Sequence, residues 1–188
     1  MAFAELSHWQ PYDGRGRRKY LNSDECRRLL RAADRLDPGG RALCYVLAYT
    51  GCRVSEALAL SPCHLDTDQL TVTFRTLKRR RTVFRVVPVP PDLMRMLCAI
   101  VRPGAERLWH LHRTTAWRLV KRAMERAGIE GPMACCRGLR HGFGIRAASR
   151  SVPPNIIQRW MGHASLATTS VYLDAVGAEE RAFAKRMW

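Results

Sequence analysis

Apolar residues first recur at helical spacing at Leu29, Leu30, Ala33 and Leu36, one stripe of a 3.6-residue repeat. Asn22 or Ser23 ahead of it supplies a capping side chain, and Asp24 and Glu25 suit the positive end of the helix dipole. A helix is predicted from 22 or 23 to about 36. Asp37-Pro38-Gly39-Gly40 reads as a break, and 42–49, apolar nearly all round, as a buried helix. Thr50-Gly51 interrupts, and a further helix is expected over 54–60. The period then changes to two. Residues 70–74 and 83–89 alternate and are rich in β-branched side chains, which predicts two strands of a hairpin. Lys78-Arg79-Arg80-Arg81 lies at its turn, and Pro88, Pro90 and Pro91 close it. Helical spacing resumes over about 92–101, 114–127, 138–150, 154–161, 166–175 and 178–187. Pro154 suits a first turn and Gly162 a helix end. The fold class that follows is mainly α with a small antiparallel β-sheet (α+β).

The 188 residues make one domain with enough apolar content for a full core. No apolar run reaches the 18 or so residues of a membrane span, and the first residues lack a signal-peptide pattern, so a cytoplasmic protein is expected. Seven cysteines, none in a CxxC pair, suit reduced and partly buried thiols better than disulfides or a metal site.

Charge changes the picture. Lys and Arg number 32 against 16 acids, a formal net of +16, and only Lys19, Lys78, Lys121 and Lys185 are lysines. Such an excess points to a polyanionic partner. Residues 1–20 read as an extended, mobile basic arm, with Arg15, Arg17, Arg18 and Lys19 as DNA-binding candidates. Arg79, Arg80 and Arg81 in the hairpin turn are further DNA-binding candidates.

Four places carry chemistry. Arg53 and Glu56 stand at i and i+3 at a helix start, where amide groups favour an anion; the simpler role is an ion pair worth a few tenths of a kcal/mol. Arg140 can bridge two phosphate oxygens with paired donors. Lys78 is a lysine among arginines, and an ammonium can give up a proton to a leaving alkoxide where a guanidinium cannot. His163 follows the helix-ending Gly162, and Tyr172 comes nine residues later. Together these residues can hold a phosphodiester and attack its phosphorus with a phenol oxygen.

The spacing of these residues resembles that of the tyrosine recombinases, the phage integrase family. The family pattern T-G-x-R-x-S-E-x-x-x-L is matched over 50–60. H-x-L-R-H-x-F is matched at Leu139-Arg140-His141-Gly142-Phe143, and L-G-H-x(8)-Y at Met161-Gly162-His163 and Tyr172. A hairpin lysine before V-P is matched by Lys78 ahead of Val87-Pro88. The resemblance covers about 20–188 and implies that family's catalytic-domain fold, with 1–20 as an arm and the helical core-binding domain absent. It implies Tyr172 as nucleophile, Arg53 and Arg140 as phosphate clamps, Lys78 as acid to the 5′ oxygen, His163 as a phosphate donor and Glu56 as an orienting residue. It implies no metal and no cofactor. The implied partners are double-stranded DNA with paired recombination sites, other copies in a tetrameric synapse, a C-terminal segment docking in trans, and an accessory DNA-bending or core-binding protein.

One position departs. The family's histidine three residues before the second arginine is Arg137 here. A guanidinium steadies charge but cannot accept a proton, which leaves that step to water or His141. The chain is therefore expected to be a site-specific DNA recombinase, and a slow one because of Arg137. The alternatives are a non-cleaving DNA-binding regulator and a relaxing enzyme like type IB topoisomerases.

Overall fold

The computed structural model describes residues 10–76, 83–172, 185 and 187. Among these residues eight α-helices and three strands follow, with one 3₁₀ turn (Pro62–His64) before the first strand, in the order α1 (Ser23–Ala33), α2 (Pro38–Thr50), α3 (Val54–Leu58), β1 (Leu65–Asp66), β2 (Thr71–Thr76), β3 (Val83–Pro88), α4 (Pro91–Ala99), α5 (Arg113–Arg126), α6 (Cys136–Ala148), α7 (Pro154–Met161) and α8 (Ala167–Ser170). The hairpin-turn residues Lys78 and Arg79–Arg81 lie outside the described residues, as does the helix expected over 178–187.

A reciprocal capping box starts α1: Asn22 Oδ1 accepts from the Glu25 amide and Glu25 Oε2 accepts from the Asn22 amide, both at 2.8 Å. The helix stops at Ala33 rather than 36. The stretch read as a break instead opens α2. Asp37 is its N-cap and Pro38 its first residue, a place where a missing N–H costs nothing. Gly39 and Gly40 fit the first turn because Trp109 and Leu119 lie close against them, and Trp109 Nε1 donates to Gly39 O at 2.8 Å.

The sheet is antiparallel in the order β1-β2-β3, with Thr71 opposite Pro88 and Thr76 opposite Val83. The third strand, β1, was not expected: two residues are too short to show alternation. Val72, Phe74 and Val87 point into the core and are buried. That core runs through α1, α2, α3, the sheet, α4 and α5 to Leu139 of α6. A second, smaller cluster holds Tyr20, Ile145, Ile157, Met161 and Tyr172. It is this cluster that seats the tyrosine. Among the described residues no helix is long and apolar enough to cross a membrane. All seven cysteines are free thiols.

The basic arm is not extended where it is described. Tyr12 and Arg18 form an antiparallel bridge, and Asp13 accepts from the amides of Arg15 and Arg17, each at 2.9 Å. Arg17 pairs with Asp13 at 2.8 Å and Arg18 with Glu25 at 2.7 Å, so two of the four arm cations meet carboxylates within the fold. The Asp-Gly-Arg-Gly sequence turns back because Asp13 offers a local acceptor to the backbone. The following segment then lies directly on α6. A Cβ on Gly142 would sit 2.3 Å from the carbonyl oxygen of Leu21, and backbone cannot yield as a side chain does. Gly142→Ala is expected to cost about 3 kcal/mol, read as a lower urea midpoint at unchanged slope. A midpoint within error of wild type would mean that this contact is looser than described.

Candidate active site

Thr50-Gly51 ends α2 and aims Arg53. Gly51 has φ +60, and a Cβ there would meet Phe143 Cδ1 at 2.4 Å, so a side chain is excluded by both conformation and space. Arg53 then caps α3. Its amide donates to Glu56 Oε2 at 2.8 Å and its Nη1 to Oε1 at 2.9 Å. The ion pair read from i, i+3 spacing is present, but it is half of a larger arrangement. Glu56 is buried and also holds Arg85, with Nη2 to Oε2 at 2.7 Å and Nη1 to Oε1 at 3.2 Å. Arg85 Nε donates to Trp160 O at 2.8 Å, and its guanidinium lies 4.9 Å from the centre of the Phe74 ring. One carboxylate thus ties α3, β3 and the end of α7 together. Burial pushes the Glu56 carboxyl up, yet the bonds from Arg85 and Arg53 outweigh it and hold it below its ordinary value.

Arg140 on α6 is 8% exposed. It donates to Gly51 O at 2.6 Å and to Met161 O at 2.7 Å, so the two helix ends that carry Arg53 and His163 are pinned to the same guanidinium. Burial, then Arg53, lowers its pKa to about 10, which leaves it cationic at neutral pH. Gly162 takes the left-handed conformation at the end of α7, and the His163 amide returns to Gln158 O at 3.1 Å. That turn brings the His163 ring against the Tyr172 ring, centres 5.8 Å apart at 29°. Its Nδ1 shares a 2.9 Å hydrogen bond with Thr169 Oγ1.

Tyr172 is 2% exposed. Its hydroxyl shares a 2.9 Å hydrogen bond with His141 Nδ1. Burial pushes the phenol up to about 12, although Arg140 and Arg53 pull the other way. Burial also presses His141 down to about 3, with Arg140, His163, Arg137 and Lys19 adding to it. Both groups are therefore neutral.

These residues line one pocket of about 710 Å³. Arg53, Arg137 and Arg140 come together there with His163 and Tyr172. No carboxylate is among its described lining residues. The arrangement has the charge and room for a phosphodiester, with Tyr172 in its wall. Lys78 lies outside the described residues; the strands leading to it end at Thr76 and Val83.

Sequence reasoning missed Arg85, Arg113 and Trp117, and it left His141 as an open alternative. Arg85 had a signal: it falls in phase with Val87 on the buried face of its strand, and a charge there needs a buried partner. Arg113 and Trp117 from α5 line the pocket, and Trp117 is 44% exposed, but nothing in their spacing links α5 to the other motifs.

Residues 19–178 match the Phage integrase family. The chain belongs to that family. It is 30% identical over 166 residues to tyrosine recombinase XerA of Thermococcus onnurineus (strain NA1), covering 82% of this chain and 57% of that protein. It is also 30% identical over 188 residues to tyrosine recombinase XerD of Mycobacterium leprae (strain TN), covering 86% and 58%. The integrase-family chain thus spans less than two thirds of the length of these relatives. Among solved structures, that of XerA recombinase superposes with a TM-score of 0.76 at 26% identity, over 89% of this chain and 64% of that one. The catalytic domain of bacteriophage HP1 integrase does so with 0.68 at 24% identity, over 87% and 92%. The fold is that of the integrase-family catalytic domain, a helical body with one small antiparallel sheet.

Proposed function

We propose that this chain cuts and rejoins duplex DNA at specific sites through a 3′-phosphotyrosyl intermediate, as the catalytic part of a site-specific recombinase. The observation that carries this reading is a buried phenol opening onto a pocket whose charged lining, among the described residues, is entirely cationic. Arg53 and Arg140 hold the non-bridging oxygens of the scissile phosphate. They stabilise the negative charge of the pentacoordinate transition state. The Tyr172 oxygen attacks phosphorus, the bond to the 5′ oxygen breaks, and Lys78 supplies the proton that oxygen needs. His163 donates to the phosphate. In the reverse step a 5′-hydroxyl from another strand attacks phosphorus and the phenol leaves. The phosphotyrosyl link conserves the bond energy, so no nucleotide is consumed.

The partner is double-stranded DNA carrying paired sites, and the working form is a tetramer assembled on it. XerH has been solved on its difH substrate before cleavage, and it shares the fold at a TM-score of 0.75 and 19% identity. Trans docking of a C-terminal segment has support in a pocket between α1, α2, α6 and α7. Leu30, Tyr49, Val152 and Trp160 line it, with Arg27 and Arg150 at its edge. Residues 178–188 carry Phe183, Met187 and Trp188, apolar side chains that suit its apolar lining. Arg15, Lys19 and Arg79–Arg81 are assigned to the DNA backbone.

The test is incubation of the chain with a nicked suicide duplex bearing its site, followed by mapping of the covalent peptide. A DNA adduct on Tyr172 is expected. An adduct on any other residue, or none on a verified site, overturns the cleavage reading. The second result would favour the non-cleaving regulator, for which Arg137 in place of an imidazole speaks. Binding should also weaken steeply with salt. A net charge of +16 predicts a log–log slope steeper than about −4, since each neutralised phosphate contributes about −0.9. A nearly flat slope in a fluorescence-anisotropy titration would count against DNA as the main partner.

A further inference from the structure

When a phenol attacks phosphorus its proton must go somewhere. Tyr172 is almost wholly buried, and a phosphodiester filling the pocket displaces the water beside it. At position 137 stands an arginine, exposed at the pocket rim, and a guanidinium has no lone pair to offer. His163 turns its ring plane towards the Tyr172 ring and its Nδ1 towards Thr169. His141 is different: its Nδ1 stands 2.9 Å from the phenol oxygen.

The backbone explains how it gets there. On α6 successive side chains are separated by about 100°. Arg140 faces the ends of α2 and α7, and its neighbour His141 faces the phenol. One turn on, Gly144 leaves room for the ring; a Cβ there would sit 2.6 Å from Tyr172 Cε2. The phenol lies along α6 with its oxygen at His141 and its ring over Gly144.

We propose that His141 takes the phenolic proton of Tyr172 as the oxygen attacks phosphorus, and returns it when the phosphotyrosyl bond is broken, a step that Arg137 cannot perform. The inference rests on the reading of Tyr172 as nucleophile. In the forward step the Oη–H bond breaks and its proton passes to Nδ1, while the oxygen lone pair forms the bond to phosphorus. The 5′ oxygen leaves with the P–O electron pair and is protonated separately. In the reverse step the phenol oxygen leaves phosphorus and recovers the proton from Nδ1. This requires the tautomer with hydrogen on Nε2.

The surroundings set when the step can occur. Among the described residues, the charged and titratable groups facing this pair are Arg137 and Arg140 of α6, His163 after α7, Lys19 of the N-terminal segment and Arg53 at the start of α3. Without DNA, burial first and these charges second keep the imidazole neutral, which is the accepting form, and both oppose the imidazolium that transfer creates. A phosphodiester bound between Arg53 and Arg140 adds negative charge to the same pocket and relieves that opposition. Activation of the nucleophile is thereby tied to occupancy of the site.

The experiment is single-turnover cleavage of a suicide duplex by the whole chain. His141→Gln keeps a hydrogen-bond acceptor but cannot take a proton, and should cleave about 10²–10⁴-fold more slowly with unchanged DNA affinity. Replacing Tyr172 by 3,5-difluorotyrosine, a more acidic phenol, should recover at least about tenfold of that loss, in line with proton-transfer behaviour. Cleavage by His141→Gln at the wild-type rate overturns the proposal, and so does a loss of equal size with both tyrosines, the mark of a merely structural role. Should the variant not fold, ¹⁵N NMR of the wild-type chain decides: a bare Nδ1 is expected, and an Nδ1–H on His141 overturns it. Wild-type adduct formation that ignores His141 sinks this inference alone. Absence of any wild-type adduct on a verified site sinks it together with the reading beneath it.

Discussion

Tyr172→Phe is expected to form no covalent adduct with a suicide duplex under conditions where the wild-type chain does. The change removes one oxygen. The ring keeps its place among Ile145, Ile157 and Met161, and the space over Gly144 stays filled. What is lost structurally is the shared hydrogen bond to His141, about 1 kcal/mol, so folding and DNA affinity should be nearly intact. What is lost chemically is the atom that bonds phosphorus. A denaturing gel with end-labelled DNA makes the comparison, with anisotropy titrations confirming equal binding. A shifted band that persists in the Phe variant would assign the attack elsewhere, and the pocket-lining thiols Cys135 and Cys136 would be the first to examine.

Glu56→Ala is expected to have the largest effect on stability. The carboxylate is fully buried and holds two guanidiniums, one of them, Arg85, almost as deeply buried. Removing it leaves the Arg85 charge in the interior with no acid partner, a change that costs about 3–5 kcal/mol. Arg85→Ala should cost less, because Glu56 keeps its bonds to the Arg53 amide and guanidinium. The double variant should cost clearly less than the two losses added together, because neither charge is then stranded. Urea denaturation at pH 7 measures this. Additive losses would mean that the two residues do not act as a pair.

The same carboxyl makes acid stability a second readout. Its folded pKa lies below the ordinary 4.5, so its contribution is present above the unfolded value and is lost as pH falls through the folded one. Glu56→Gln should therefore narrow its deficit relative to wild type below about pH 4.5. A deficit that stays constant down to pH 2 would contradict the linkage.

The N-terminal half shows how far pattern alone reaches. The stripe from Leu29 to Leu36 and the apolar run after Gly40 identified two helices, because burying one face repeats in the sequence with the period of the helix. Their ends were less legible. Pro38-Gly39-Gly40 has the composition of a break, and only Asp37 capping the turn and Trp109 packing on it allow a helix to begin there. The two-residue strand β1 has no periodicity to detect; pairing with β2 makes it a strand. The arm from Pro11 to Lys19 reads as mobile by composition, yet Asp13 and Glu25 hold its arginines.

What the sequence by itself determined is the helical body, the β-hairpin and the chemistry-bearing motifs: the Thr-Gly-x-Arg turn, the Leu-Arg-His segment of α6 and the Gly-His to Tyr spacing. Each is written in consecutive residues, because each is a local backbone device that presents one side chain. What only the tertiary structure decided is how those devices meet. Arg85 with Glu56, Arg140 bridging the ends of α2 and α7, and His141 at the Tyr172 hydroxyl are contacts between residues 21 to 89 positions apart. Such distances leave no period and no spacing rule in the chain, since they depend on helix ends being brought together by the core and on the space that Gly142 and Gly144 leave against α6.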